Sequence, residues 1–247
     1  MAYIHGEAKG FVMQRLGALL LFFSPALAMA EPLPQTTMAP SGALQLTMIL
    51  SLAALLPAIV LACTCFARFI VVFSFLKNGL GTQGAPPNQI LVGLALFMTV
   101  FVMAPTATEV HQRALGPYLQ GALTEQQAVE AATPALQGFL LPRTRQQDLA
   151  LFYEVSKTAA PNNLTEVPLR IAIPAFVLSE LHTAFEMGLI ILLPFLVIDL
   201  LVAATLMSLG MMMLPPATVS MPVKLLVFLA VDGWRLLTES LLHGVMR

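Results

Sequence analysis

Charge is what this chain has least of. Only 10% of its 247 residues are Asp, Glu, Lys or Arg, against about a quarter in soluble globular domains. A formal net charge of -1 offers nothing to hold a phosphate backbone, which excludes nucleic acid as a partner. Cysteine is nearly absent. The two present form Cys63-x-Cys65 within an apolar run, where a disulfide between near neighbours would be strained and no ligand cluster awaits zinc. They read as small packing residues. His111, His182 and His243 share no ligand spacing, so no metal site is expected. No nucleophile–base pair stands out. Gly79-x-Gly81-x-x-Gly84 has the letters of a dinucleotide fingerprint, but it lies between two apolar segments rather than after a strand, and reads as a close turn. Neither an enzyme nor a cofactor is expected.

What the chain has in excess is apolar residues, at 58%, with a mean hydropathy of +0.84. That composition describes an integral membrane protein or a subunit buried in a hydrophobic complex. The N-terminus reads as a signal peptide over residues 1–30. Lys9 and Arg15 supply positive charge, Leu16–Phe23 a short apolar core, and Ala28-Met29-Ala30 a cleavage motif with the cut between Ala30 and Glu31. Residues 31–42 form an exposed, Pro-rich linker.

Residues 43–105 read as a first helical hairpin. Two apolar stretches, Ala43–Val72 with a kink expected at Pro57 and Gln89–Pro105, flank a polar Gly/Pro-rich turn. Residues 106–169 hold most of the remaining charge and read as a small, water-facing helical insert. In it Thr124-Glu125-Gln126-Gln127 resembles a capping box. Residues 170–247 read as a second hairpin, with Pro222–Leu242 as one last helix and a Met/Pro loop over 207–222. The fold class is therefore all-α: a polytopic membrane-type protein of kinked helical hairpins with a helical extracytoplasmic insert. Loop charges alone would favour a cytoplasmic insert. A cleaved signal peptide places both termini and the insert outside.

The last third is the most constrained part. Ile171–Leu214 runs 44 residues with only Glu180, Glu186 and Asp199 charged. A straight helix of that length would be roughly 66 Å long, about twice the hydrocarbon core of a bilayer. The segment must bend, double back or rise out of the membrane inside a larger assembly. Met207, Met211, Met212 and Met213 then precede Pro215-Pro216. Methionine is flexible and soft, so copies of this loop around a ring would suit a gasket that seals at rest and yields to varied cargo. Gly210 would give the loop freedom at its start. Ionisable groups in apolar segments seek partners. Glu180 and Lys224 are expected to pair, within a subunit or between neighbours. Arg68, Glu186, Asp199 and Asp232 are further candidates for interface contacts.

Several long motifs resemble the FliP family, the P subunit of the flagellar type III export gate, with the injectisome subunits as relatives. They are Phe66–Lys77 with Leu80-Gly81-Thr82-Gln83, Pro86–Phe97, Pro174–Leu181, Met207–Pro216, Lys224–Phe228 and Val231-Asp232-Gly233-Trp234. The signal peptide and the charged insert suit the flagellar branch better. The resemblance implies about five copies in a helical ring with Q and R subunits, alongside the B subunit and rod or basal-body proteins. It implies a pore in the bacterial inner membrane through which unfolded flagellar proteins leave the cytoplasm. Two rival readings remain at this stage: a small-molecule or ion transporter, and a scaffold that templates assembly.

Overall fold

The computed structural model describes residues 62–246 apart from 83, 160, 162, 164, 165 and 212, together with 42, 46, 47, 50, 51 and 54. The chain divides into two units, Met1–Ala54 and Leu55–Arg247. In the first, the described residues are all helical. The signal peptide, the Ala30–Glu31 cleavage position, the linker other than Gly42, and Pro57 lie outside the described residues. All that follows concerns the second unit.

Every regular element among the described residues is a helix, as the apolar composition and absent alternation predict. Helix α1 spans Phe66–Leu80 and ends at Gly81, whose φ of 70° lets its N–H reach back to the Asn78 carbonyl. After a polar turn, α2 spans Asn88–Val110. It does not stop at Pro105 as expected. It continues through a π-helical turn, His111–Leu115, into Gly116–Leu119, where the Gly116 N–H reaches the His111 carbonyl. Widening to i→i+5 is one way to pass the missing N–H of Pro117.

Helix α3 spans Glu125–Leu140 and opens with the expected capping box. The Thr124 hydroxyl accepts from the Gln127 N–H at 3.4 Å, and the Thr124 N–H donates to the Gln127 side chain at 3.0 Å. A short 3-10 turn leads to α4, Gln146–Ser156, which Lys157 terminates in a left-handed conformation.

Helix α5, Leu169–Ser208, is a single element of 40 residues containing Pro174 and Pro194, about 60 Å long at 1.5 Å per residue. It neither doubles back nor breaks. The remaining apolar stretch is two helices rather than one: α6, Pro216–Ala230, and α7, Gly233–Met246. The break falls at Asp232, whose φ is 52°. Gly233 is sterically required there, since a Cβ would lie 2.2 Å from the Phe228 ring.

Helix α1 is the axle of the fold. Phe69, Val72, Phe73, Leu76 and Leu80 are all buried on it, each such side chain contributing roughly 1.5–3 kcal/mol. They pack on Leu91, Ala95, Met98 and Val102 of α2, Phe176 and Phe195 of α5, Phe228 of α6 and Leu241 of α7. Helices α1 and α5 run parallel: Arg68 meets Glu180, Phe75 meets Gly188, and Gly79 meets Phe195. Two glycines permit this approach, because a Cβ at Gly188 would lie 2.4 Å from the Phe75 ring and one at Gly79 2.7 Å from Phe195. A smaller cluster joins Leu149 and Tyr153 of α4 to Ile171, Ala172 and Ala175 at the start of α5.

Asn88–Leu119 and Leu169–Ser208 are both long and apolar enough to cross a membrane. Their apolar surface is largely uncovered within the chain: Phe97, Phe101, Leu193, Leu200 and Leu201 all face outward. Apolar surfaces of that kind belong against lipid or protein rather than water.

Candidate functional site

The chain turns from α5 into α6 through a bend that its sequence fixes closely. The Gly210 N–H donates to the Met207 carbonyl at 3.1 Å and the Met211 N–H to the Leu206 carbonyl at 2.9 Å. These two bonds, with Gly210 at φ 73°, make a Schellman cap. Pro215 and Pro216 then restart the chain as the cap and first residue of α6, where proline costs nothing because that N–H has no helical partner. Gly210 therefore locks the bend rather than freeing it, the reverse of the expectation. Met207, Met211 and Met213 project from this bend, with Met213 97% exposed. Met212 lies outside the described residues.

Two ion pairs brace the helices behind it. Arg68 Nε donates to Glu180 Oε2 at 2.7 Å, and Nη2 donates to Glu180 Oε1. The pair is bidentate and almost fully buried, a geometry suited to guanidinium and carboxylate. Arg68 Nη1 also donates to the Gly244 carbonyl at 2.9 Å. Arg143 completes that contact: its Nε donates to the Val245 carbonyl and its Nη1 to the Phe139 carbonyl, each at 2.7 Å. Two arginines thus satisfy last-turn carbonyls of α7 that have no partner within their own helix.

The second pair lies nineteen residues further along α5, toward the bend. Lys224 Nζ donates to Asp199 Oδ2 at 2.6 Å and to the Gly79 carbonyl at 2.9 Å. The Ser220 hydroxyl donates to Asp199 Oδ1 at 2.6 Å. This ties α6 to α5 and to the last turn of α1, where a cation also meets the negative end of the helix dipole.

The expected Glu180–Lys224 pair does not form within the chain. Glu180 sits beside Arg68 on the parallel helix, and Lys224 sits beside Asp199 at the far end of the same interface. With Glu180 and Lys224 at 0% and 4% exposure, both are already enclosed by other partners. Arg68 and Asp199 are the partners that the sequence had marked only as further candidates. Glu186 and Asp232 are exposed on the chain rather than buried.

A third cluster anchors the charged segment. Arg145 donates to Asp148 from Nε at 3.0 Å and from Nη2 at 3.2 Å. Ser179 Oγ of α5 donates to Asp148 Oδ2 at 2.5 Å and accepts from the Arg145 N–H at 3.0 Å. Burial pushes the Asp148 carboxyl upward, but the Arg145 and Ser179 hydrogen bonds and the Arg145 charge outweigh it, leaving the group below the usual carboxylate range.

Sequence reasoning missed Arg143, Arg145, Asp148, Ser179 and Ser220. One signal was available for Ser179 and Ser220: a hydroxyl inside an apolar helix next to an acid-bearing level of the bundle needs an acceptor. Among the described residues no group of three or more His, Cys, Asp or Glu side chains gathers as a metal site would require.

Residues 49–241 match the profile of the FliP family. The chain is 46% identical over 204 residues to "Flagellar biosynthetic protein FliP" of Bacillus subtilis (strain 168), an alignment covering 83% of this chain and 92% of that protein. The protein of the same name from Pectobacterium carotovorum subsp. carotovorum is 44% identical over 228 residues, covering 90% and 88%. That of Caulobacter vibrioides (strain ATCC 19089 / CIP 103742 / CB 15) is 42% identical over 244 residues, covering 97% and 92%.

Proposed function

The chain belongs to the FliP family, and from that premise we propose that it is a core pore-forming subunit of the flagellar type III protein export gate. It acts in the bacterial inner membrane at the flagellar basal body and passes unfolded flagellar proteins outward. About five copies associate in a ring with Q and R subunits, in contact with the B subunit and rod proteins. The chain carries no chemistry of its own in this reading, and other components supply the energy.

One observation supports the reading above the rest: a bend held by a Schellman cap and two prolines presents thioethers to the outside, with Met213 97% exposed. A side chain this apolar is stabilised only when something apolar covers it. In a closed ring, symmetry holds the same bend of each copy at one distance from the axis, and in this reading the bend faces that axis. There methionines cover one another, sealing against small solutes while adapting to many passing side chains. Met207, Met211, Met212 and Met213 form the gasket. The proline-bearing α5 and the uncovered apolar surface of α2 pack against sister subunits and lipid.

The test is permeability. Deleting Met211–Met213 makes resting cells leak small solutes, while the purified complex keeps its subunit composition. Intact complexes with unchanged permeability would remove the sealing role. Native mass spectrometry separates the rival transporter: a multi-copy complex with Q and R supports the gate, whereas a lone monomer or dimer supports the transporter.

A further inference from the structure

Lys77 is the only charged residue between Phe69 and Thr108. Its Nζ donates to Asn88 Oδ1 at 2.6 Å. Among the described residues no carboxylate forms an ion pair with it. Arg68, the nearest base on the same helix, is neutralised by Glu180. Among the described residues Lys77 therefore carries the one positive charge of this hairpin tip that no carboxylate pairs.

That charge stands over a groove between α1 and α2 with a cavity of about 480 Å³. The two helices are antiparallel neighbours joined by the turn at residues 81–87, so the groove has two chemically different ends. Nearest the turn lie Lys77, Asn78 and Asn88. About one helical turn further lie Leu91 and Val92 of α2, with Ser74 and then Ile70 deeper along α1. The apolar candidate span of α2 begins at Asn88, so the site requires the turn end of the groove to sit at headgroup depth and the far end in hydrocarbon.

We infer that this groove is a binding site for one anionic phospholipid. Its phosphate meets Lys77 and Asn88, and the start of an acyl chain lies along Ile70, Leu91 and Val92. The charge selects an anionic lipid over a zwitterionic one, because among the described residues Lys77 has no carboxylate counter-ion. The apolar end selects a lipid over a carboxylate from a second copy, which would leave that end empty. The site stands whether or not the methionine bend lines a channel.

The experiment adds phosphatidylglycerol or phosphatidylcholine to the detergent-purified complex and counts retained lipid by native mass spectrometry. Wild type retains phosphatidylglycerol preferentially. Lys77→Gln lowers that preference about tenfold, the loss of one charge-assisted contact. Lys77→Arg keeps the preference, and Val92→Trp, which fills the groove, lowers retention of both lipids. Arg113→Gln, which removes an exposed charge paired with Glu109, leaves retention unchanged. Equal retention of both lipids, or a preference that survives Lys77→Gln, overturns the site. So does a complex in which Lys77 cross-links to a carboxylate of a second copy and no phosphatidylglycerol remains.

Discussion

Arg68 on α1 and Glu180 on α5 form a two-pronged ion pair, and the same guanidinium uses its remaining donor on the Gly244 carbonyl of α7. One side chain thus joins three helices, none adjacent in sequence. Removing one partner of such a pair leaves a buried charge, at a cost of about 3–5 kcal/mol. Arg68→Ala and Glu180→Ala are each expected to lower the melting point of the purified protein sharply. Arg68→Met with Glu180→Leu together is expected to recover much of that loss, although the Gly244 carbonyl stays unpaired. Thermal unfolding in detergent reads both. A double variant no better than the singles would remove the pairing as the reason.

The Asp199–Lys224 pair is expected to respond unequally to its two halves. Lys224 is nearly enclosed, whereas the Asp199 side chain is 38% exposed. Without Lys224 the carboxylate still reaches water and Ser220. Without Asp199 the ammonium keeps only the Gly79 carbonyl. Asp199→Ala should therefore destabilise more than Lys224→Met, by about 1 kcal/mol or more. The same melting experiment checks it, and the reverse order would contradict it.

Asp148 gives the charged segment a pH dependence with a definite sign. Its folded carboxyl titrates below the unfolded value near 3.9, because Arg145 and Ser179 outweigh burial. A depressed folded pKa contributes stability that is present above the unfolded pKa and lost as pH falls through the folded one. Protease cleavage within residues 141–168 should stay low at neutral pH and rise below about pH 4. Asp148→Asn should raise cleavage at neutral pH and flatten the profile. A wild-type profile unchanged by that substitution would assign the acid sensitivity to other groups.

Gly188 marks a tight approach of α1 and α5. Gly188→Ala drives a Cβ into the Phe75 ring, an overpacking cost of typically 1–3 kcal/mol. Phe75→Leu in the same chain is expected to restore part of it. Absence of any such coupling in the melting points would mean that the helices separate freely here.

Much of this architecture was legible in the sequence because it rests on local rules. Apolar runs gave the helices, Thr124 and Gln127 gave a cap, and Pro215-Pro216 gave the break after α5. What escaped is non-local. Nothing in the spacing of Glu180 says that α1 lies parallel to α5, so its partner Arg68 was marked as buried but not matched to it. Helix α2 runs past Pro105 as ordinary α-helix to Val110, and the π turn beyond it accommodates Pro117, neither of which the apolar pattern marks. Gly210 was read for its freedom, yet the two backbone bonds around it turn that freedom into a cap. The split between α6 and α7 rests on Asp232 accepting a left-handed conformation and on Phe228 occupying the space where a Cβ at position 233 would sit, and the apolar pattern runs through both.

The central claim is that the methionine bends of several copies converge. Met213→Cys tests it most directly, in a chain where Cys63 and Cys65 are replaced by Ala and with Val129→Cys on the exposed face of α3 as the comparison. Mild oxidation of the assembled complex is expected to link Met213→Cys chains to one another and to leave Val129→Cys chains unlinked. Intact complexes in which Met213→Cys chains remain single would contradict the account.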